Sequence, residues 1–408
     1  MKGKYSLKEQ RITYLITLRN DMVLKQFRKE DHKSCFNQLG AGRVFPANLW
    51  DKAGFRLLFS IGLPFVMFIT DVLSPLKYSI KLVFHKRRSY ALKRLYLHHE
   101  RRLLALSKSA GIQKKDDVWF HNPFDFIKLP DTYKSVTALD FITLSEVWKS
   151  AFNAVVLHVE TVLSLGYDKY FLSYRSYEWC IADFALRHVP LNTELTYSSI
   201  CDRMAILYDH LPHKNKTMIQ HGAMHFHNLS DKNNPNFSWQ EDIRAYIWCS
   251  LYRSSPSAVY CYTDDDKIAL SRSVIANNPK YVVMGYGFKT SFTPEKKSVL
   301  IIGNPTLFLN EESLIIKELQ GLDIGLFLKN HPAEVNSKYD SLRNEYDFTF
   351  IEGLDTRLPA VDLLISYDST LAYEYASVGA KVLYYGCFDI NNIRSIVIKE
   401  LGLHNDKR

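Results

Sequence analysis

The amino-acid sequence predicts an α/β protein built from two doubly wound domains, each a parallel sheet covered by helices. The first observation is length, since 408 residues exceed the ~250–300 that one hydrophobic core usually organises. The second is that, from about Asp116 onward, short apolar runs alternate with amphipathic stretches, which is typical of βαβ units. The third is that this rhythm restarts at Ser298 after the polar stretch KTSFTPEKK (289–297).

Composition narrows the class of protein. A hydrophobic share of 47% with a charged share of 23% is typical of a soluble globular chain and excludes wholesale disorder. The six cysteines form no CxxC pair, which argues against a disulfide framework or a zinc module and favours a reducing compartment. The N-terminus lacks the apolar core of a signal peptide. We therefore expect a cytoplasmic protein.

Charge is distributed unevenly along the chain. The first 115 residues hold 24 Lys and Arg against 7 Asp and Glu, whereas the remainder holds 28 against 36. Within the basic part lies the apolar run LLFSIGLPFVMFITDVL (57–73), which is short for a membrane span and contains Gly62, Pro64 and Asp71. Two interpretations stay open. Residues 57–102 are either an interfacial segment, the apolar run with the polybasic residues Lys77 to Arg102 after it, that meets anionic lipid, or a pair of core-facing helices with basic outer faces.

The first half is predicted to be mainly helical to residue 115, with 85–110 as its clearest helix, and to alternate afterwards. Asp264, Asp265 and Asp266 suit a helix start, where negative charge favours the dipole. The predicted elements are a helix at 145–165, a strand at 169–174, a helix at 178–188, and strands at 217–222, 258–263 and 281–287.

The second half repeats the alternation. The predicted strands are SVLIIG, IGLFLK, DFTFIEG, VDLLISY and KVLYYG, and the predicted helices are 311–319, 371–378 and 391–401. Because ligands of such sheets bind beyond the carboxyl ends of the strands, the residues that follow each strand are the candidates for function.

One candidate strand end lies in the first half. Gln220, His221 and Gly222 close a predicted strand. His221 can act as a general base or stabilise charge, because histidine titrates near neutral pH. The alternative is a structural histidine that caps the strand.

A second strand end carries Lys329, Asn330, His331 and Pro332. Pro332 removes a backbone donor and stops the strand, so His331 would project where it can donate to a phosphate oxygen and protonate a departing phosphate. The alternative is an ordinary strand stop with a surface histidine.

A third strand end carries Asp368, Ser369 and Thr370 directly before a helix. Two hydroxyls beside the N–H groups of a helix N-terminus make an anion site, although Asp and Ser are also ordinary N-cap residues. Glu374, one turn further, would accept from a ribose hydroxyl.

The turn Gly303-Asn304-Pro305 after SVLII would let a ligand approach the backbone. The sequence has no GxGxxG and no GxxxxGK[ST] motif, so neither a nicotinamide fingerprint nor a P-loop is supported. We expect no metal site, and the aspartate triplet at 264–266 is interpreted as a helix start.

The order QHG in the first half, then GNP, KNHP and YDST in the second, resembles the bacterial surface-polysaccharide glycosyltransferases of GT-B fold. These include sialyl- and polysialyltransferases, capsule Kdo transferases and teichoic-acid polymerases. The similarity covers about residues 217–385. It implies two Rossmann-like domains facing a central cleft. The first, 1–288, is on the acceptor side, with a basic helical part (1–115) and a Rossmann-like part (116–288). The second, 289–408, binds the nucleotide-sugar.

The resemblance also implies roles for single residues. It assigns His331 to the donor phosphate as ligand and acid, and His221 to the position of a proposed base. Retaining members use a carboxylate nucleophile, for which Asp231, Glu178 and Glu160 are candidates. The chain departs from the sialyltransferase pattern, because the first half lacks that group's acidic motif. The implied donor-binding set is Gly303, Asn304, Lys329, Asn330, His331, Pro332, Asp368, Ser369, Thr370 and Glu374, with Gln220 and Glu178 on the acceptor side.

The expected function is transfer of a sugar from a nucleotide donor, such as a CMP-linked sialic acid or Kdo, to a lipid-linked surface polysaccharide. No cofactor or metal is expected, and the expected location is the inner face of the plasma membrane. A CDP-polyol phosphotransferase is the alternative within enzymes. An inactive scaffold or a nucleic-acid-binding protein is the alternative from other classes.

Overall fold

The computed structural model describes residues 11–18, 53–98, 107, 111–114, 116–121, 133–165, 176–198, 203–220, 253–331, 336–353, 355, 357–367 and 369–403. For residues 53–68 only the backbone is described. The described chain divides into two compact units between Met284 and Gly285.

The first unit is built on a sheet of seven parallel strands in the order β3-β2-β1-β4-β5-β6-β7. Its central strands are buried, and Leu95, Leu195 and Met218 are fully enclosed, because helices cover both faces of a parallel sheet. The strands are β1 (Arg94–His98), β2 (Val118–His121), β3 (Lys134–Thr137), β4 (Glu194–Ser198), β5 (Lys216–Ile219), β6 (Ala258–Cys261) and β7 (Lys280–Val283).

Strand β1 corrects the prediction that 85–110 is helical and that the sheet begins at 116. The strand pairs with both β2 and β4, and its Leu95, Tyr96 and Leu97 are all fully buried. The Arg94 guanidinium donates to Glu194 at 2.9 and 3.0 Å. The flanking basic residues resemble a helical pattern, whereas the strand is fixed by pairing with β2 and with β4, the latter 100 residues away in the chain. The basic N-terminal part therefore contributes to the first sheet.

Helices in the described part of the first unit pack around this sheet, besides the helical residues 11–18. Helix α3 is largely buried, and α1 and α2 pack over it. The predicted helices at 145–165 and 178–188 are confirmed as α2 and α3, and the aspartate triplet begins α5 with a capping box to Thr263. The helices are α1 (Ala53–Phe84), α2 (Leu144–Leu165), α3 (Ser176–Arg187), α4 (Arg203–His210) and α5 (Asp264–Ser273).

Helix α1 contains the apolar run of the sequence. Its Asp71 is buried and forms a hydrogen-bonded pair with His158 of α2. Burial raises the pKa of the Asp71 carboxyl, and the bond from His158 opposes that rise. One face of α1 is thus core-facing, which supports part of the second interpretation. Within the described part of the chain, no helix has the length and hydropathy to cross a membrane.

The second unit has a five-stranded parallel sheet in the order β10-β9-β8-β11-β12. The predicted strands of this half are all confirmed. The helix predicted from Glu311 begins earlier, because Pro305 occupies its first turn, where proline is favoured. The elements are β8 (Ser298–Ile302), α6 (Pro305–Leu319), β9 (Gly325–Lys329), α7 (Asp340–Glu345), β10 (Thr349–Ile351), β11 (Leu363–Ser366), α8 (Thr370–Ser377), β12 (Lys381–Tyr384) and α9 (Ile393–Leu401).

Both sheets follow the doubly wound strand order, in which the direction of winding reverses beside the first strand. The reversal lies between β1 and β4 in the first unit and between β8 and β11 in the second. The predicted α/β class with two Rossmann-like doubly wound units is confirmed. The predicted strand at 169–174 lies outside the described residues.

Candidate functional site

Three of the predicted loops of the second unit follow three neighbouring strands. The GNP turn follows β8, the KNH segment follows β9, and Ser369-Thr370 follows β11, while the sheet order is β9-β8-β11. All three strands are parallel, so the loops emerge at one edge. This edge includes the reversal between β8 and β11, where doubly wound sheets bind ligands.

The GNP turn is held from beneath by a buried carboxylate. The Asn304 backbone N–H donates to Glu312 Oε1 at 2.6 Å, and the Tyr339 hydroxyl donates to Glu312 Oε2 at 2.6 Å. Both Glu312 and Tyr339 are fully buried. Sequence reasoning missed these two residues, because neither follows a strand. The signal that the sequence offered was an acidic residue, Glu312, that faces inward from a predicted amphipathic helix.

Gly303 is required by close packing within this turn. Its N–H donates to the Lys329 carbonyl at 2.8 Å. A Cβ at this position would lie 2.3 Å from the Tyr339 hydroxyl oxygen, well inside contact distance. Next to it, the Asn304 side chain does not cap α6, and its Oδ1 is buried with no hydrogen-bond partner in the described structure. The turn therefore combines a tight backbone with a buried acceptor.

Lys329 ends β9 and ties the neighbouring loop. Its ammonium donates to the carbonyls of Glu352 and Gly353 at 2.5 and 2.6 Å, and the residue is only 5% exposed. Burial lowers the pKa of Lys329 to about 8, with the charge of Asp355 opposing. This predicted donor-site residue thus positions the loop after β10. Asn330 beside it is buried, and His331 is half-buried.

The lowered pKa of Lys329 predicts a pH dependence of stability. Between pH 8 and the ordinary lysine value of ~10.4, the unfolded chain binds more protons than the folded one. The free energy of unfolding should therefore rise by about 3 kcal/mol between pH 8 and ~10.4, and this gain is lost as the pH falls back to 8. Urea unfolding at several pH values should show this rise in the wild type and not in Lys329→Met. Parallel pH curves would contradict it.

Ser369 and Thr370 open helix α8. Ser369 is the N-cap, and its hydroxyl accepts from the Ala372 N–H at 3.2 Å. The same hydroxyl lies 3.1 Å from the Ser366 hydroxyl. Thr370 and Glu374 are half-buried and four residues apart, which places them on one helix face. The first N–H groups of α8 lie at the same edge of the sheet as the GNP turn, because α8 directly follows β11. The hydrogen bonds within an α-helix do not use these N–H groups.

In the first unit, Gln220 follows β5 and is fully buried. Its amide donates to Asp266 Oδ1 at 2.7 Å and accepts from the Tyr262 N–H at 3.2 Å. Asp266 also completes the capping box of α5 with Thr263. Gln220 therefore links the end of β5 to the start of α5.

Of the remaining predicted residues, two lie in the described part of the first unit and four lie outside the described residues. Glu178 is half-buried in the first turn of α3, and Glu160 of α2 forms an ion pair with Arg11. Among the described residues there is no cluster of three or more His, Cys, Asp or Glu side chains suited to a metal. The predicted residues outside the described ranges are His221, Asp231, Pro332 and Asp368.

A cavity in the second unit lies at the other edge of the sheet. Its lining includes Lys297, Asp362 and Ala380, which directly precede β8, β11 and β12. These are the amino ends of the strands, so this cavity is separate from the three loops.

Comparison with known proteins gives distant similarities only. No protein-family model and no curated protein matches the chain. Among solved structures, the wall teichoic acid polymerase TagF is 9% identical with a TM-score of 0.39, over 84% of this chain and 80% of that one. A UDP-N-acetylglucosamine 2-epimerase of Listeria monocytogenes, described as putative, is 13% identical with a TM-score of 0.38, over 78% and 89%.

The spinosyn rhamnosyltransferase SpnG is 11% identical with a TM-score of 0.37, over 76% of this chain and 92% of that one. At these identities and TM-scores the similarities carry no argument about activity. The functional conclusion therefore depends on the residues of this chain.

Proposed function

We propose that the protein is a nucleotide-sugar-dependent glycosyltransferase of the GT-B type, with the donor bound by the second unit. The observation that carries the proposal is the placement of the GNP turn, His331 and Ser369-Thr370 after three adjoining parallel strands. This edge of a doubly wound sheet is where a nucleotide binds.

Each part of this edge has a role in the proposed reaction. The N–H groups at the start of α8 and the Thr370 hydroxyl face the leaving phosphate, where a helix N-terminus favours negative charge. His331 donates to the same phosphate and supplies a proton as the glycosidic bond to the sugar breaks. The buried Oδ1 of Asn304 accepts from an amino or hydroxyl group of the nucleoside, and Glu374 accepts from a ribose hydroxyl.

The first unit binds the acceptor in this proposal, and His221 is its general base. If the reaction retains configuration, Asp231 or Glu178 would provide a carboxylate nucleophile, whereas Glu160 is already paired with Arg11. We further propose a lipid-linked polysaccharide acceptor and a CMP-linked donor of the sialic acid or Kdo type, by the resemblance of the motifs. Transfer by such a donor should persist in the presence of a chelator.

The test is nucleotide binding followed by turnover. The matching nucleotide among CMP, CDP, UDP and GDP should raise the melting temperature, because it binds only the folded state. His331→Ala should lower kcat at least ~100-fold, the usual contribution of a positioned acid, and Ser369→Ala/Thr370→Ala should abolish the nucleotide-dependent shift. Thr263→Ala, which removes the N-cap of α5 in the first unit, is the matched control for donor binding and should keep the nucleotide-dependent shift. Full transfer by the His331 and double variants would reject the proposal.

The alternative, a CDP-polyol phosphotransferase, makes a different bond. Its product would be a phosphodiester, whereas the proposed reaction forms a glycoside. Mass and phosphorus analysis of the product separates the two.

A further inference from the structure

Helices α1 and α2 present an exposed apolar surface. They carry 12 of the 19 large apolar side chains that are exposed in the described structure. Soluble proteins rarely expose contiguous apolar surface on this scale without using it as an interaction site. The surface is formed by outward-facing residues of two neighbouring helices, here called the α1–α2 face.

On α1 the exposed residues are spaced as one helical stripe. Ile69, Leu73, Leu76, Ile80 and Phe84 recur every three or four positions and are 51–84% exposed. The opposite face of α1 carries Asp71 and Ser74, which are buried. Because the two sets lie on different faces, the stripe points away from the core.

On α2 a second stripe consists of Leu144, Trp148, Phe152, Val159 and Leu163, which are 49–79% exposed. Asp71 contacts His158, while Arg87, just after α1, donates to the Ile142 carbonyl, just before α2, at 2.8 Å. The helices therefore run antiparallel. Both lie over the buried helix α3, so their exposed stripes belong to one outer layer.

The charges around this face are of one sign. Lys77, Lys81 and Lys86 are exposed at the end of α1 and just after it, and Lys149 is exposed on α2. The two helices contain three carboxylates, and each is engaged. Asp71 pairs with His158. Glu146 accepts from His188 and Thr143, and Glu160 pairs with Arg11.

We propose that the α1–α2 face docks on an anionic lipid surface without crossing it. Apolar side chains enter the boundary of the acyl chains, Trp148 lies at headgroup level, and the lysines meet lipid phosphates. A second copy of this chain fits poorly, because a two-fold contact would oppose Lys77 and Lys81 to their own copies. The inference depends on the exposed residues of the first unit and not on the proposed reaction.

The experiment is sedimentation of the full chain with vesicles of phosphatidylcholine and phosphatidylglycerol, and with vesicles of phosphatidylcholine alone. The protein should bind the anionic vesicles, and the binding should weaken with salt. Trp148→Gln/Phe152→Gln and Lys77→Gln/Lys81→Gln should each reduce the partition coefficient about tenfold or more. Exposed residues elsewhere give matched controls, Leu191→Gln/Ile268→Gln and Lys280→Gln/Lys317→Gln, which should bind as wild type.

Equal binding by the docking and control variants would overturn the proposal, as would equal binding to neutral vesicles. A dimer in solution that the Trp148/Phe152 variant dissociates would also overturn it, in favour of self-association. The docking variants should keep their nucleotide-dependent melting shift, and the His331 variant should keep vesicle binding. Failure of docking and failure of the proposed reaction are thus separable.

Discussion

Replacing Asp71 with alanine should lower the free energy of unfolding of the first unit by about 3 kcal/mol. The carboxylate is buried, pairs with His158 of α2 and accepts from the Tyr177 backbone at the start of α3. Removal of one member of such a buried pair leaves the other polar group without its partner, which costs more than the pair itself contributes. Equilibrium denaturation followed by tryptophan fluorescence measures the change.

Three further variants identify the cause of that loss. Val72→Ala removes an exposed neighbour and should change stability by less than about 0.5 kcal/mol. Asp71→Asn keeps a hydrogen-bonding group and should be milder than alanine. Asp71→Leu/His158→Leu should recover part of the loss, because apolar residues of similar volume can replace a buried polar pair. Additive effects of the two single leucine variants would contradict the coupling.

Gly303→Ala should lower the free energy of unfolding of the second unit by about 2–3 kcal/mol and remove the nucleotide-dependent melting shift. The added methyl group would meet the Tyr339 hydroxyl at 2.3 Å. Tyr339 is fully buried and bound to Glu312, so relief requires movement of packed groups, which is the usual cost of overpacking. Calorimetry with and without the nucleotide measures both effects.

Gly325→Ala is the matched control within the same unit. Its Cβ would lie 3.2 Å from the Phe327 ring, so we expect a loss of less than about 1 kcal/mol and an unchanged nucleotide response. Tyr339→Phe removes the oxygen that clashes, and Gly303→Ala/Tyr339→Phe should therefore cost less than the sum of the single variants. A larger cost than the sum would show that the clash is not the cause.

The fold could be predicted from local pattern wherever a strand is a continuous apolar run bounded by turn residues. SVLII, GLFLK and LLIS are buried on both faces of the second sheet, so their sequences carry that burial directly. Strand β1 could not be predicted in this way. Its sequence, RLYLH, mixes apolar and basic residues, and its identity as a strand depends on pairing with β2 and with the distant strand β4.

The residues of the candidate site also divide into those that local sequence predicts and those that depend on tertiary contacts. His331, Ser369 and Thr370 were found because they follow strands, and strand ends in a doubly wound sheet are where chemistry is placed. Glu312 and Tyr339 were missed because they act from below the GNP turn, through contacts of packed helices. The engagement of Lys329 with two loop carbonyls likewise depends on tertiary packing, which residue type does not reveal.

The register of the first sheet also determines when its centre can form during synthesis. Arg94 of β1 pairs with Glu194 of β4, so the ribosome must make 100 further residues before that pair can close. In the second unit the corresponding pair across the reversal, Val299 of β8 with Leu363 of β11, is 64 residues apart in the chain, which is a shorter loop. Since loop closure and non-local pairing slow folding, the second unit should refold faster after dilution from denaturant. The edge of β1 that faces β4 pairs later than the edge that faces β2, which begins at Val118. Nascent chains that end before residue 194 would therefore leave the β4-facing edge of β1 unpaired.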